Sequence, residues 1–161
     1  FLAAGCGKEK PRYTSVPVTG YPYPFGIDTR QVLGKEKWDI ESSCPSYRIH
    51  WLRNPPLTSR WRGYRAVTVT ADSAGALQGF GAAQSFETGV ESQRALLDML
   101  AEIRRRFGVP TDSTFVNGIL RREWRDMNGN ILEVYEITSN NRWALQSVSA
   151  KLNKQCGMLS L

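Results

Sequence analysis

The chain has 161 residues, 41% of them hydrophobic, and carries 21 Lys and Arg against 15 Asp and Glu, a net charge of +6. That is enough apolar material for one core and too short a chain for two comfortable ones; the charge favours acidic partners or anionic surfaces and says nothing of fold. The single histidine, His50, excludes a multi-histidine metal site, and neither a Walker A nor a dinucleotide glycine pattern occurs.

The sequence opens FLAAGCGKEKPRYTS. Phe1, Leu2, Ala3 and Ala4 have the character of the end of an apolar signal segment, with small residues just before a cleavage point. The order Leu2-Ala3-Ala4-Gly5-Cys6 resembles the lipobox of bacterial lipoproteins, although Leu2 stands four residues before the cysteine where three is commoner. The resemblance implies that residues 1–5 are a signal-peptide remnant and that Cys6 is acylated. It places the protein in the bacterial envelope, lipid-anchored, on the periplasmic side of the outer membrane more than at the inner one. Gly7 is not the aspartate that retains many enterobacterial lipoproteins at the inner membrane. No stretch after Cys6 approaches the roughly eighteen apolar residues of a spanning helix, so attachment is expected from the lipid alone.

Three cysteines leave one without a partner in an exported protein. With Cys6 taken by lipid, Cys44 and Cys156 remain as an expected disulfide in an oxidising compartment. Residues 6–24, with prolines and glycines and no sustained periodicity, read as the lipidated cysteine and a flexible linker, and residues 25–161 as one globular domain.

In the domain, Tyr47–Arg53 alternates as a strand, NPPLTS breaks it, and Arg60–Asp72 resumes with β-branched alternation. Ala76–Phe86 returns as a glycine-bearing strand. The period then shifts to 3.6: Leu96, Leu100, Ile103 and Phe107 share a face, predicting a helix over Val90–Phe107 that Gly108 and Pro110 stop. Glu87 and Glu91 near its start and Arg104, Arg105 and Arg106 at its end suit the helix dipole. Gly118–Asp126, Ile131–Thr138 and Arg142–Leu152 follow as strands, with Asn128-Gly129 marking a tight hairpin.

The order β-β-β-α-β-β-β predicts an α+β domain, an antiparallel sheet of about six strands with one amphipathic helix on one face. Cys44 before the first strand and Cys156 after the last suit a bridge between neighbouring antiparallel strands.

Candidate chemistry is sparse. Asp126 with Glu123, or Glu133 with Glu136, are acid pairs of undiagnostic spacing, and His50 lies inside a strand. No catalytic residue, metal or cofactor is expected. The basic aromatic run Tyr47–Arg65 carries the expected working surface, led by Arg53, Arg60, Arg62 and Tyr64, with Arg104, Arg105 and Arg106 as the second candidate. On Arg60–Ala71, Val67, Val69 and Ala71 form the expected core face, turning Arg62, Tyr64, Thr68 and Thr70 outward together. The function expected is non-catalytic: an inhibitor or immunity-type protein binding an acidic protein partner such as a secreted toxin or lytic enzyme. The alternative is an envelope assembly or housekeeping lipoprotein that anchors a larger complex. No nucleic-acid partner is expected, and oligomeric state is open.

Overall fold

The computed structural model describes residues 18–44, 46–117, 119–139 and 142–150, with only the backbone described at 42–44, 139 and 142. A short helix α1 (Arg30–Leu33) precedes four strands, β1 (Asp39–Cys44), β2 (Tyr47–Arg53), β3 (Ala66–Asp72) and β4 (Leu77–Phe86). The long helix α2 (Gly89–Phe107) precedes four more, β5 (Asp112–Val116), β6 (Ile119–Arg125), β7 (Ile131–Ser139) and β8 (Arg142–Ala150). All eight form one sheet in the order β1-β2-β3-β4-β8-β7-β6-β5, every pair antiparallel. Two four-strand meanders therefore meet where β4 pairs with β8.

The α+β class holds, but the sheet has eight strands where about six were expected, and a second, short helix joins it. The two strands that escape the sequence pattern, β1 and β5, are the sheet's edges. An edge strand has one neighbour and buries little, so alternation has no core face to report: Ile40 is 62% exposed and Phe115 75% exposed.

Both helices pack on the same face of the sheet. Leu96, Ile103 and Phe107 of α2 meet Trp124, Leu132, Val134 and Leu145; Val32 of α1 joins Leu52, Trp61, Val67, Val69, Leu77 and Phe80. Burying an aliphatic or aromatic side chain of this size is worth about 1.5–3 kcal/mol. The start of α2 is fixed by a capping box, in which the Glu91 amide donates to Thr88 Oγ1 and the Thr88 amide donates to Glu91 Oε2, each at 3.2 Å. Its end is pinned where the Trp124 indole donates to the Gly108 carbonyl at 3.0 Å.

Residues 54–65 form a loop, so the strand expected from Arg60 begins only at Ala66. Pro55 and Pro56 cannot continue a ladder, and Gly63 has φ 87°, outside extended backbone. Between them Trp61 dips back into the core, ringed by Tyr23, Trp38, Tyr64 and Phe80.

The folded body starts before Phe25. Val18 is 1% exposed, Tyr21 packs against the α2 core and its carbonyl accepts from Ser149 Oγ, and Tyr23 meets Phe80 edge-on at 5.3 Å. The segment 18–24, assigned to the linker from its composition, thus lies along the domain.

The first and last strands are not neighbours. The expected first strand, Tyr47–Arg53, is β2; it runs antiparallel to β8, but β3 and β4 separate the two, and β1, which Cys44 ends, is parallel to β8. Cys44 ends β1, its side chain undescribed, and Cys6 and Cys156 lie outside the described residues.

Candidate functional site

The basic aromatic cluster expected from sequence is divided by the fold. Arg53, at the end of β2, bonds Glu41 at 3.1 Å and Asp39 at 3.5 Å and lies over the Trp51 ring. Arg60 donates to the Gln31 and Val32 carbonyls and stacks on Trp61, fastening the 54–65 loop to α1. Tyr64 is half-buried against Trp61, and burial pushes its phenol pKa up. Arg62 alone of this loop trio projects freely. The outward row of Arg62, Tyr64, Thr68 and Thr70 does not form: Tyr64 packs into the helix-side core, while Thr68 and Thr70 alternate with Val67 and Val69 onto the opposite face.

At the end of α2, Arg105 pairs with Glu102 at 2.8 Å, Arg106 lies over the rings of Tyr21 and Phe107, and Arg104 is exposed. A cleft of about 130 Å³ between Tyr64 and Met99, floored by Phe80, Ala82 and Leu145, brings Tyr64 near this end through Tyr21. Charge does not concentrate on the body. Of the 21 Lys and Arg, 16 fall in the described residues with 14 of the 15 Asp and Glu, a balance of +2; the other +4 belongs to residues 1–17 and 151–161.

The second face of the sheet carries no helix among the described residues, and its rows follow from register. One runs Trp51, Thr68, Gly81, Val148, Glu133, Glu123, Asp112 across seven strands. The next runs Arg53, Ala66, Ala83, Gln146, Tyr135, Arg121. Where these rows cross β3, β4 and β8, nearly every side chain is small.

The result is a recess of about 280 Å³. Ala66, Thr68, Gly81, Ala83 and Ala144 floor it, because none has a side chain long enough to fill the space. Trp51 on β2 and Ile137 on β7 stand on opposite sides, and Ser85 and Gln146 add neutral polar groups. Arg65, exposed at the rim, has no ion-pair partner among the described residues. The indole Nε1 of Trp51 is buried with no hydrogen-bond partner.

Beyond Gln146 on the same face lies a charged wall. Glu123 and Glu133, directly opposed on β6 and β7, are 6% and 5% exposed. Arg125 Nε donates to Glu123 at 2.7 Å; Arg121 lies 3.4 Å from Glu133 and from Asp112 and 3.8 Å from Glu123. Tyr135 donates its hydroxyl to Glu133 at 2.5 Å, and its pKa is pushed up to about 12, by burial first and then by that carboxylate. At neutral pH the phenol stays protonated, a fixed donor, while the guanidinium groups offset the carboxylates in place. The wall is a rigid polar border to the recess.

The acid pairs considered from sequence are separated differently. Asp126 is buried in the β6–β7 turn and Glu136 faces Arg122 at 3.9 Å, leaving Glu123 and Glu133 as the pair the fold creates. His50 lies on the helix side of β2, half-buried, its pKa lowered by burial first and by Arg48 second. The recess was missed because sequence does not show which face a helix covers; its one signal was the run of glycine and alanine in Gly79–Ala83.

Searches of protein-family models, of curated proteins and of solved structures each return no match to this chain.

Proposed function

We propose that the chain is a non-catalytic binding protein of the bacterial envelope, tethered through a lipid on Cys6, that holds another protein on the face of its sheet opposite α1 and α2. The observation carrying this reading is the preformed recess at the centre of that face, floored by Ala66, Gly81, Ala83 and Ala144 beside Trp51. A sheet exposing a concave, small-residue floor next to an aromatic side chain offers what a protruding partner segment needs: apolar area to bury and a rigid shape requiring little ordering. Antiparallel sheets keep one face free for such use.

The role is that of an inhibitor or immunity-type protein blocking a secreted toxin or lytic enzyme, since one small recess suits one protruding loop of one soluble partner. This moves the working surface from the loop of Arg60, which fastens to α1, the exposed Arg62, and Tyr64, which packs in the core, to the opposite face.

The test is comparative capture from the source organism's periplasmic fraction with the parent chain, with Ala83→Phe to fill the recess, and with Arg62→Glu plus Arg104→Glu to alter the helix side. Loss of a one-to-one complex in Ala83→Phe alone, with its thermal unfolding near the parent's, supports the reading. Capture that survives Ala83→Phe and fails in the charge-reversed variant overturns it.

A further inference from the structure

The geometry points to a definite ligand class for the recess, which we infer to be an acidic peptide segment: an apolar or aromatic side chain seated on the floor, with a neighbouring carboxylate meeting Arg65. The inference rests on the docking role proposed above and narrows it to a chemistry.

Size sets the first limit. At about 280 Å³ the recess lies just below the range of drug-sized ligand pockets, room for one large side chain and part of its neighbour. The lining sets the second. Ala66, Gly81, Ala83 and Ala144 offer apolar area, and the Trp51 ring gives a flat wall on which an aromatic or aliphatic group packs.

Charge decides the third. Among the described residues no Asp or Glu lines the recess, and Arg65 is the one cation that does. The other cations of this face whose side chains are described already have carboxylates: Arg53 has Asp39 and Glu41, Arg121 has Asp112 and Glu133, and Arg125 has Glu123. Arg65 has none among the described residues, so an incoming carboxylate gains a guanidinium without displacing another anion. A cationic ligand would meet Arg65 with no carboxylate in the described lining to offset the repulsion. A polyanion such as nucleic acid needs a series of cations along its backbone, which a recess with one arginine does not supply. Ser85 and Gln146 add neutral groups able to bond the peptide backbone around the two anchoring side chains.

The test uses the full chain and two dipeptide probes, N-acetyl-Phe-Glu-amide and N-acetyl-Phe-Lys-amide, followed by amide and indole chemical shifts on titration. The glutamyl probe is expected to shift the signals of Gly81, Ala83, Ala144 and Trp51 saturably, with the lysyl probe about tenfold weaker. Arg65→Gln should bring the two affinities together while the fold persists, and Ala83→Phe and Ala144→Phe should each abolish the response. Equal binding of the two probes, shifts that map outside the recess, or a preference that survives Arg65→Gln would overturn the inference. If the probes ignore the recess while Ala83→Phe still removes partner capture, the ligand class is wrong and the docking role stands. If Ala83→Phe captures the partner like the parent, the docking role itself falls.

Discussion

Val18 and Asp126, 108 residues apart, are joined by a 3.1 Å hydrogen bond from the Val18 amide to Asp126 Oδ2. Asp126 is buried, and its carboxylate also accepts from the amides of Asn128 and Asn130 and from the Asn130 side chain. One side chain thus closes the β6–β7 turn and fastens the entering chain. Asp126→Ala leaves several buried donors unmatched and is expected to cost about 3 kcal/mol, read as a lowered denaturant midpoint with an unchanged slope.

The same contact predicts where the chain tolerates shortening. Relative to a chain beginning at Val18, one beginning at Phe25 loses the buried Val18 side chain and the Tyr21 and Tyr23 contacts, at a cost of about 3 kcal/mol or more. Thermal unfolding of the two shortened chains side by side decides it; equal midpoints would show that the segment contributes nothing.

Arg62 and Tyr64, two residues apart, should respond oppositely to substitution. Arg62→Glu changes an exposed side chain and should move stability by less than about 0.5 kcal/mol. Tyr64→Ala removes a half-buried ring packed edge-on to Trp61 and should cost about 2–3 kcal/mol. Comparable midpoints for the two variants would contradict the core placement of Tyr64.

Tyr135 gives an alkaline signature. Its folded-state pKa is raised from 10.0 to about 12, so the folded chain holds a proton that the unfolded chain releases. Its stabilising contribution is complete below about pH 10 and is lost as pH rises from 10 towards 12. Burial raises the pKa of Tyr21 and Tyr64 too, adding to the same decline. In tyrosinate absorbance the phenol that ionises last should disappear in Tyr135→Phe, and that variant should lose stability less steeply above pH 10.

The cysteine proposal makes two linked predictions. Cys6→Ser should release an otherwise unchanged domain from membranes, measured after a high-salt wash. Non-reducing peptide mapping should then recover Cys44 bonded to Cys156 with Cys6 in neither partnership. Parallel β1 and β8 end at the same side of the sheet, four strand spacings or about 19 Å apart. Residues 151–156 span about 20 Å fully extended, so the bridge is within reach although the two strands are not neighbours. Recovery of Cys6 bonded to either of the others would remove the chief support for the lipid anchor.

By itself the sequence determined the local structure wherever burial writes a period into it. Tyr47–Arg53 appears as the strand its alternation predicts, α2 begins one residue before its predicted start and ends at Phe107, and Asn128-Gly129 makes the expected turn. It left the edge strands β1 and β5 unmarked, because a strand with one neighbour and little buried area need not alternate. The tertiary structure alone decided that β8 runs between β4 and β7, and so that small residues from β3, β4 and β8 lie together beside Trp51. It also decided that Glu123 opposes Glu133, and that Tyr64 belongs to the core while Thr68 turns away from it. Alternation tells which residues of a strand share a face; only the packing of α1 and α2 decides which face they cover, and the face opposite them carries the candidate site.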